Sequence, residues 1–215
     1  MLPVAPEDGR LMLPHATRTE EARPGLGEVR IAEIRMPGRT LFVVADGAGG
    51  AAGGADAAEA ICRATSAYQD WRMPSDWAGW LGRVDYEMSR SRVGRASAVV
   101  IEIWDDGRIV GASVGDCEAW MFAGGAASRS LTAGQARKPL LGEGTARPVG
   151  FEARLGRGTL LIATDGLWKC MDRARITKAA SIRPLEAACT ALVDGARLKN
   201  GTLQDDVAIV LAELV

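Results

Sequence analysis

Apolar and polar residues alternate from Glu28 to Arg35 (EVRIAEIR), the spacing of a strand with one face buried and the other wet. An uninterrupted apolar run follows from Leu41 to Ala45, as in a strand buried on both faces. Met36-Pro37-Gly38-Arg39 between them has turn composition, so the two strands form a hairpin. A glycine-dense stretch, DGAGGAAGG, leads into Ala55 to Tyr68, where alanine content and apolar spacing predict a helix. A second helix is expected from Ser75 to about Ser91, with Ser75-Asp76 as its N-cap. Strands are expected at Ser97 to Trp104 and Ile109 to Val114, joined by the hairpin turn Asp105-Asp106-Gly107. Further strands fall at Glu118 to Phe122, Thr159 to Ala163 and Val207 to Leu214, with a helix from Leu185 to Leu198. Residues 123–158 are mixed and loop-rich.

Strands in hairpins with a helix pair between them suit an α+β fold of antiparallel layers, not an alternating parallel sheet. Residues 1–22, rich in proline and polar side chains, read as an irregular lead-in with at most one edge strand. Residues 23–215 read as a single domain, with no internal repeat. A chain of 215 residues can build one well-packed domain.

Composition narrows the function. Hydrophobic residues make up 47% and charged residues 25%, ordinary for a soluble globular chain. A formal net charge of -1 gives no broad attraction to nucleic acid or an anionic membrane. The N-terminus lacks the basic and apolar regions of a secretory signal, and the longest apolar runs are too short to cross a bilayer. A cytoplasmic monomer is the expectation. The cysteines, Cys62, Cys117, Cys170 and Cys189, contain no CxxC pair, so they read as reduced thiols. His15 is the only histidine, which excludes a histidine-rich metal site. A phosphate-binding P-loop and a Cys-x5-Arg phosphatase loop are both absent. Carboxylate chemistry, with or without metal, remains.

Three carboxylate positions stand where an apolar run meets a loop: Asp46 after LFVVA, Asp165 after LLIAT, and Asp205-Asp206 before VAIVLA. If these strands are neighbours, the carboxylates converge and need a compensating cation. Oxygen-only ligands favour Mg²⁺ or Mn²⁺. Glycine after Asp46 and Asp165 leaves room for a backbone carbonyl or a water at the ion. Asp-Gly is also a common turn dipeptide, as at Asp106-Gly107, so on the residues alone the turn and metal readings both stand.

Four segments in series resemble the PPM (type 2C) family of metal-dependent serine/threonine protein phosphatases. They are VVADGAGGAAGGADAA (Val43 to Ala58), ASVGDCEAWMF (Ala112 to Phe122), LLIATDGLWKCM (Leu160 to Met171) and QDDVAIVLAEL (Gln204 to Leu214). The resemblance covers the chain from about residue 23 onward. It implies a β-sandwich of two antiparallel sheets flanked by helices, in α-β-β-α layers. It implies two Mn²⁺ or Mg²⁺ ions, with a weaker third. Asp46 would bridge the pair with the Gly47 carbonyl on one ion, Asp165 and Asp205 would hold the other, and Asp116 with Asp165 would take the third. The implied reaction is hydrolysis of phosphoserine or phosphothreonine in a protein by a metal-activated water. The implied partners are a phosphorylated protein and an opposing Ser/Thr kinase.

The sequence departs from the family at several places. In the N-terminal motif the preferred register is Arg23-Pro24-Gly25-Leu26-Gly27-Glu28, with Arg23 as the phosphate-binding arginine and Glu28 in place of an aspartate. A second register uses Thr19 to Ala22 with Arg18. Cys117 replaces a serine, as a thiol near the metals or a small packed residue, and Ala208 replaces a threonine. Arg129, Arg137, Lys138, Arg147, Arg154 and Arg157 lie in the flap-like region, where they could meet acidic partners or form a solvated face. The six tryptophans read as packing residues. An alternative to an active phosphatase is a catalytically weak or inactive member that regulates by binding protein. A phosphatase of small phosphorylated metabolites comes third.

Overall fold

The structure, a computed structural model, describes residues 13–48, 53–67, 71–123 and 129–214. The middle of the glycine-dense stretch and Tyr68 lie outside the described residues. Among the described residues, ten strands form two five-stranded sheets, antiparallel at every pairing. One sheet places β1 (His15–Glu20) beside β10 (Val207–Glu213), then β9 (Gly158–Ala163), β6 (Glu118–Ala123) and the short β7 (Arg129–Ser130). The other runs β2 (Val29–Met36), β3 (Arg39–Gly47), β4 (Ala96–Trp104), β5 (Arg108–Val114) and β8 (Val149–Arg154). Helices α1 (Gly54–Ala64) and α2 (Pro74–Ser91) cover the second sheet. The single turn α3 (Asp165–Trp168), with α4 (Arg173–Ala180) and α5 (Leu185–Ala196), covers the first. These are the expected α-β-β-α layers.

The uninterrupted apolar runs are explained by two buried faces. On β3, Leu41, Val43 and Ala45 face the helices, while Phe42 and Val44 face the opposite sheet. On β10, Val207, Ile209 and Leu211 face the helical side, and Ala208, Val210 and Ala212 line the space between sheets. Each fully buried side chain of valine size or larger contributes about 1.5–3 kcal/mol over its exposed state. In the β2–β3 hairpin, Met36 pairs with Arg39 across Pro37-Gly38, and Gly38 takes φ 78°, a value that favours glycine. That register sets Val29 opposite Asp46.

Several expectations change. The lead-in does contain the edge strand that the sequence allowed: β1 pairs with β10 along its whole length, so the first sheet takes in residues from His15, ahead of residue 23. Helix α2 starts at Pro74 after Met73, one residue earlier than expected, and its N-cap is not Ser75. Proline suits the first helical position because its missing N–H has no intrahelical partner to lose. Asp76 in the first turn accepts from the N–H groups of Met73 (2.9 Å) and Arg72 (3.1 Å). Helix α1 ends at Ala64 and tightens into a 3-10 turn over Thr65–Ala67. Helix α5 stops at Ala196, where Arg197 turns extended. The region 123–158 is not all loop: β8 extends the second sheet at its edge. Helix α4 was hidden by its polar sequence, RARITKAA, which buries only Ile176, Ala179 and Ala180.

Candidate metal centre

The ends of the central strands supply the acidic residues. Asp46 lies at the end of β3, opposite Val29 on one side and Ser97 on the other. The Gly47 N–H donates to the Glu28 carbonyl at 3.1 Å, which ties β3 to the segment before β2. A Cβ on Gly47 would lie 2.2 Å from the Gly54 carbonyl oxygen, so the α1 N-terminus approaches β3 with no side chain between them. Asp165 opens α3 directly after β9, and Asp205-Asp206 precede β10, the strand paired with β9. Thr164 joins those two ends: its N–H donates to the Ala208 carbonyl (3.1 Å), and its Oγ1 donates to the Asp206 carbonyl (3.2 Å) and accepts from the Ala208 N–H (3.0 Å). Asp116 sits in the connection between β5 and β6.

Electrostatics shows that these groups share one field. Burial pushes the Asp46 carboxyl up to about 8, helped by Asp165, Asp205, Asp116 and Asp206. Among the described residues no donor reaches its carboxylate. Burial likewise raises Asp165, opposed by its hydrogen bond from Lys169. Glu28 is raised by burial and then by Asp206 and Asp205. The Lys169 ammonium is ion-paired with Asp165 and lies 3.9 Å from Asp205. Asp116 instead meets Arg137 at 3.3 Å.

Asp46, Asp165, Asp205, Asp116 and Glu28 therefore form one acidic neighbourhood, with Gly47 in its backbone. Arg23 does not join it. Its side chain is exposed on a turn closed by the Leu26 N–H to the Arg23 carbonyl (3.0 Å). Arg18, from the second register, is engaged by Glu20 and Thr190, both at 3.0 Å. Among the described residues no three His, Cys, Asp or Glu side chains stand close enough to hold an ion as they are.

Two residues in the site, Thr164 and Lys169, escaped the sequence reading, and so did the part played by a third, Asp206, which the sequence had placed at the start of the last strand. Asp206 is buried and accepts from the N–H groups of Ala22 (2.7 Å) and Glu28 (2.6 Å), latching the 22–28 loop to the start of β10. The Asp-Asp doublet was its only signal. Thr164 supplies a hydroxyl beside Ala208, the position where the family's threonine is missing. Lys169 follows Asp165 at the i,i+4 spacing, which could have flagged the pair. Cys117 is fully buried with its Sγ 3.0 Å from Ser97 Oγ, and burial pushes its thiol well up, so it is a packed residue and not a thiolate.

The family described as Stage II sporulation protein E (SpoIIE) matches residues 36–215. The chain belongs to the SpoIIE family. This places it among PPM-type phosphatases. No curated protein sequence matches it. Solved structures similar to this SpoIIE-family fold include a bacterial serine phosphatase, at TM-score 0.80 and 15% identity over 95% of this chain and 98% of that one. The serine/threonine phosphatase Stp1 from Staphylococcus aureus matches at TM-score 0.80 and 17% identity, covering 95% and 96%. RsbX in complex with magnesium matches at 0.73 and 16%, covering 94% of each chain.

The acidic neighbourhood of this SpoIIE-family domain fits a hard divalent cation. All its side-chain donors are oxygens, the chemistry that Mg²⁺ and Mn²⁺ select. Burial and then the neighbouring carboxylates push the Asp46 carboxyl up to about 8, an electrostatic cost that a bound cation would relieve. Among the described residues, no helix is long and apolar enough to cross a membrane.

Proposed function

We propose that the protein is a Mn²⁺- or Mg²⁺-dependent phosphatase of phosphoserine and phosphothreonine in proteins, acting in the cytoplasm as a monomer, against the product of a Ser/Thr kinase. The observation that supports it most is the convergence of Asp46, Asp165, Asp205 and Asp116 at one end of the sandwich, with Asp46 pushed up to about 8. Asp46 and the Gly47 carbonyl would hold one ion, with Asp46 bridging. Asp165 and Asp205 would hold the second, Asp116 with Asp165 a weaker third, and Glu28 would reach the first through its longer side chain. When bound, the ions supply Lewis acidity and lower the pKa of a water enough to attack phosphorus at neutral pH. The Thr164 and Asp206 hydrogen bonds hold the ends of β9 and β10 and the 22–28 loop together, which fixes the backbone that carries Asp165, Asp205 and Glu28. Arg23, exposed on the latched 22–28 loop, would meet the substrate phosphate bidentately.

A second reading, a weak or inactive member that regulates by binding protein, is favoured by Lys169, which already neutralises Asp165. Hydrolysis of an aryl phosphate and then of phosphopeptides, with Mn²⁺, Mg²⁺ or chelator, separates the two. Activity is expected only with metal, and Asp165→Asn is expected to lower kcat at least about a hundredfold. Wild-type protein that binds Mn²⁺ yet hydrolyses nothing would establish the second reading instead.

A further inference from the structure

Lys169 stands immediately after α3, with its backbone N–H on the Asp165 carbonyl at 2.9 Å. Its ammonium is ion-paired with Asp165 and 3.9 Å from Asp205. Those two aspartates are the pair assigned above to one ion. The side chain is about half exposed, so a path into solvent is open. Among the described residues it makes no other ion pair that would hold it in place once those carboxylates are taken. A monovalent ammonium and a divalent ion cannot both sit on the same two carboxylates, because like charges a few ångström apart repel and the oxygens cannot coordinate both.

We propose that Lys169 is a tethered competitor for the divalent cation: its ammonium occupies the Asp165–Asp205 half of the centre until the ion displaces it. The inference rests on the metal-centre reading. It makes the two halves unequal. The Asp46–Gly47 half fills first, and the Asp165–Asp205 half fills only at higher free metal, as Lys169 swings out.

Calorimetric Mn²⁺ titration of the full chain tests this without reference to activity. Lys169→Gln and Lys169→Met are expected to tighten the weaker Mn²⁺ site about fivefold or more while moving the tighter site less than about twofold. Lys169→Arg, which keeps the charge, is expected to stay near wild type. In chelator, Lys169→Gln should unfold at a lower temperature than wild type, and in saturating Mn²⁺ that order should reverse. Equal or weaker Mn²⁺ affinity in both neutral variants, with wild-type circular dichroism, would overturn the competitor role while leaving the metal centre intact. If neither wild type nor variants bind Mn²⁺, the metal-centre reading falls and the competitor role falls with it.

Discussion

Asp46 concentrates the electrostatic cost of the cation-free site. Its carboxyl is pushed from the ordinary aspartate value of 3.8 up to about 8 by burial and four neighbouring carboxylates. A group whose folded pKa is raised in this way binds its proton more tightly when folded. It therefore destabilises the cation-free fold increasingly as pH climbs from about 4 to about 8. Asp46→Asn removes that charge. In chelator it is expected to raise the unfolding temperature at pH 8 by about 5 °C, with the gain shrinking toward zero near pH 4. A gain that stays constant across that range would mean that charge is not its cause; saturating Mn²⁺ should invert the ranking. The sequence disclosed Asp46, Asp165 and Asp205 because each stands at the boundary between an apolar run and a loop, a pattern visible without coordinates. It did not disclose Lys169, nor the latching role of Asp206. Their roles depend on which backbone groups and carboxylates the fold brings within reach, and neither breaks a periodicity.

Among the elements, α2 does more than cover a sheet. The buried Asp85 carboxylate accepts from three backbone N–H groups within the flap-like region: Gly142 (2.7 Å), Gly144 (2.9 Å) and Ala146 (2.9 Å). Asp85→Ala leaves those donors without their acceptor, at a cost of about 3 kcal/mol. For a domain of this size the unfolding temperature should fall by about 6–12 °C, with Asp85→Asn in between. A change under 2 °C would show that water replaces the carboxylate at little cost. The flap's arginines and lysine are exposed, and two of them pair with acidic residues outside the flap, Arg137 with Asp116 and Arg154 with Asp106. Exposure of this kind suits either a solvated face or one that meets acidic partners. Elements with two buried faces, such as β3 and β10, were legible from their unbroken apolar runs. β8 was not: VGFEAR is an edge strand only partly buried, and its pairing partner β5 lies far back in the chain. The tryptophans expected to be packing residues do pack: Trp71, Trp77 and Trp80 meet ring to ring at 5.0–6.2 Å between α2 and the second sheet.

At the scale of the molecule, two sheets share one interior, and the acidic centre sits where the ends of strands from both meet. The first sheet depends on β1 as its edge: six residues pair with β10, and Ala16 is buried beneath α5. A chain beginning at Arg23 would expose the β10 edge and remove the Ala22 N–H from Asp206. It is expected to be poorly soluble or to unfold more than about 10 °C below the full chain, read by differential scanning fluorimetry; an equally stable truncated protein would show β1 to be dispensable. The close approach of Gly47 to Gly54 has a consequence for descent. The atoms that a methyl on Gly47 would strike belong to backbone, so no exchange of a neighbouring side chain can make room for it. At Gly47 there is no second mutation to wait for.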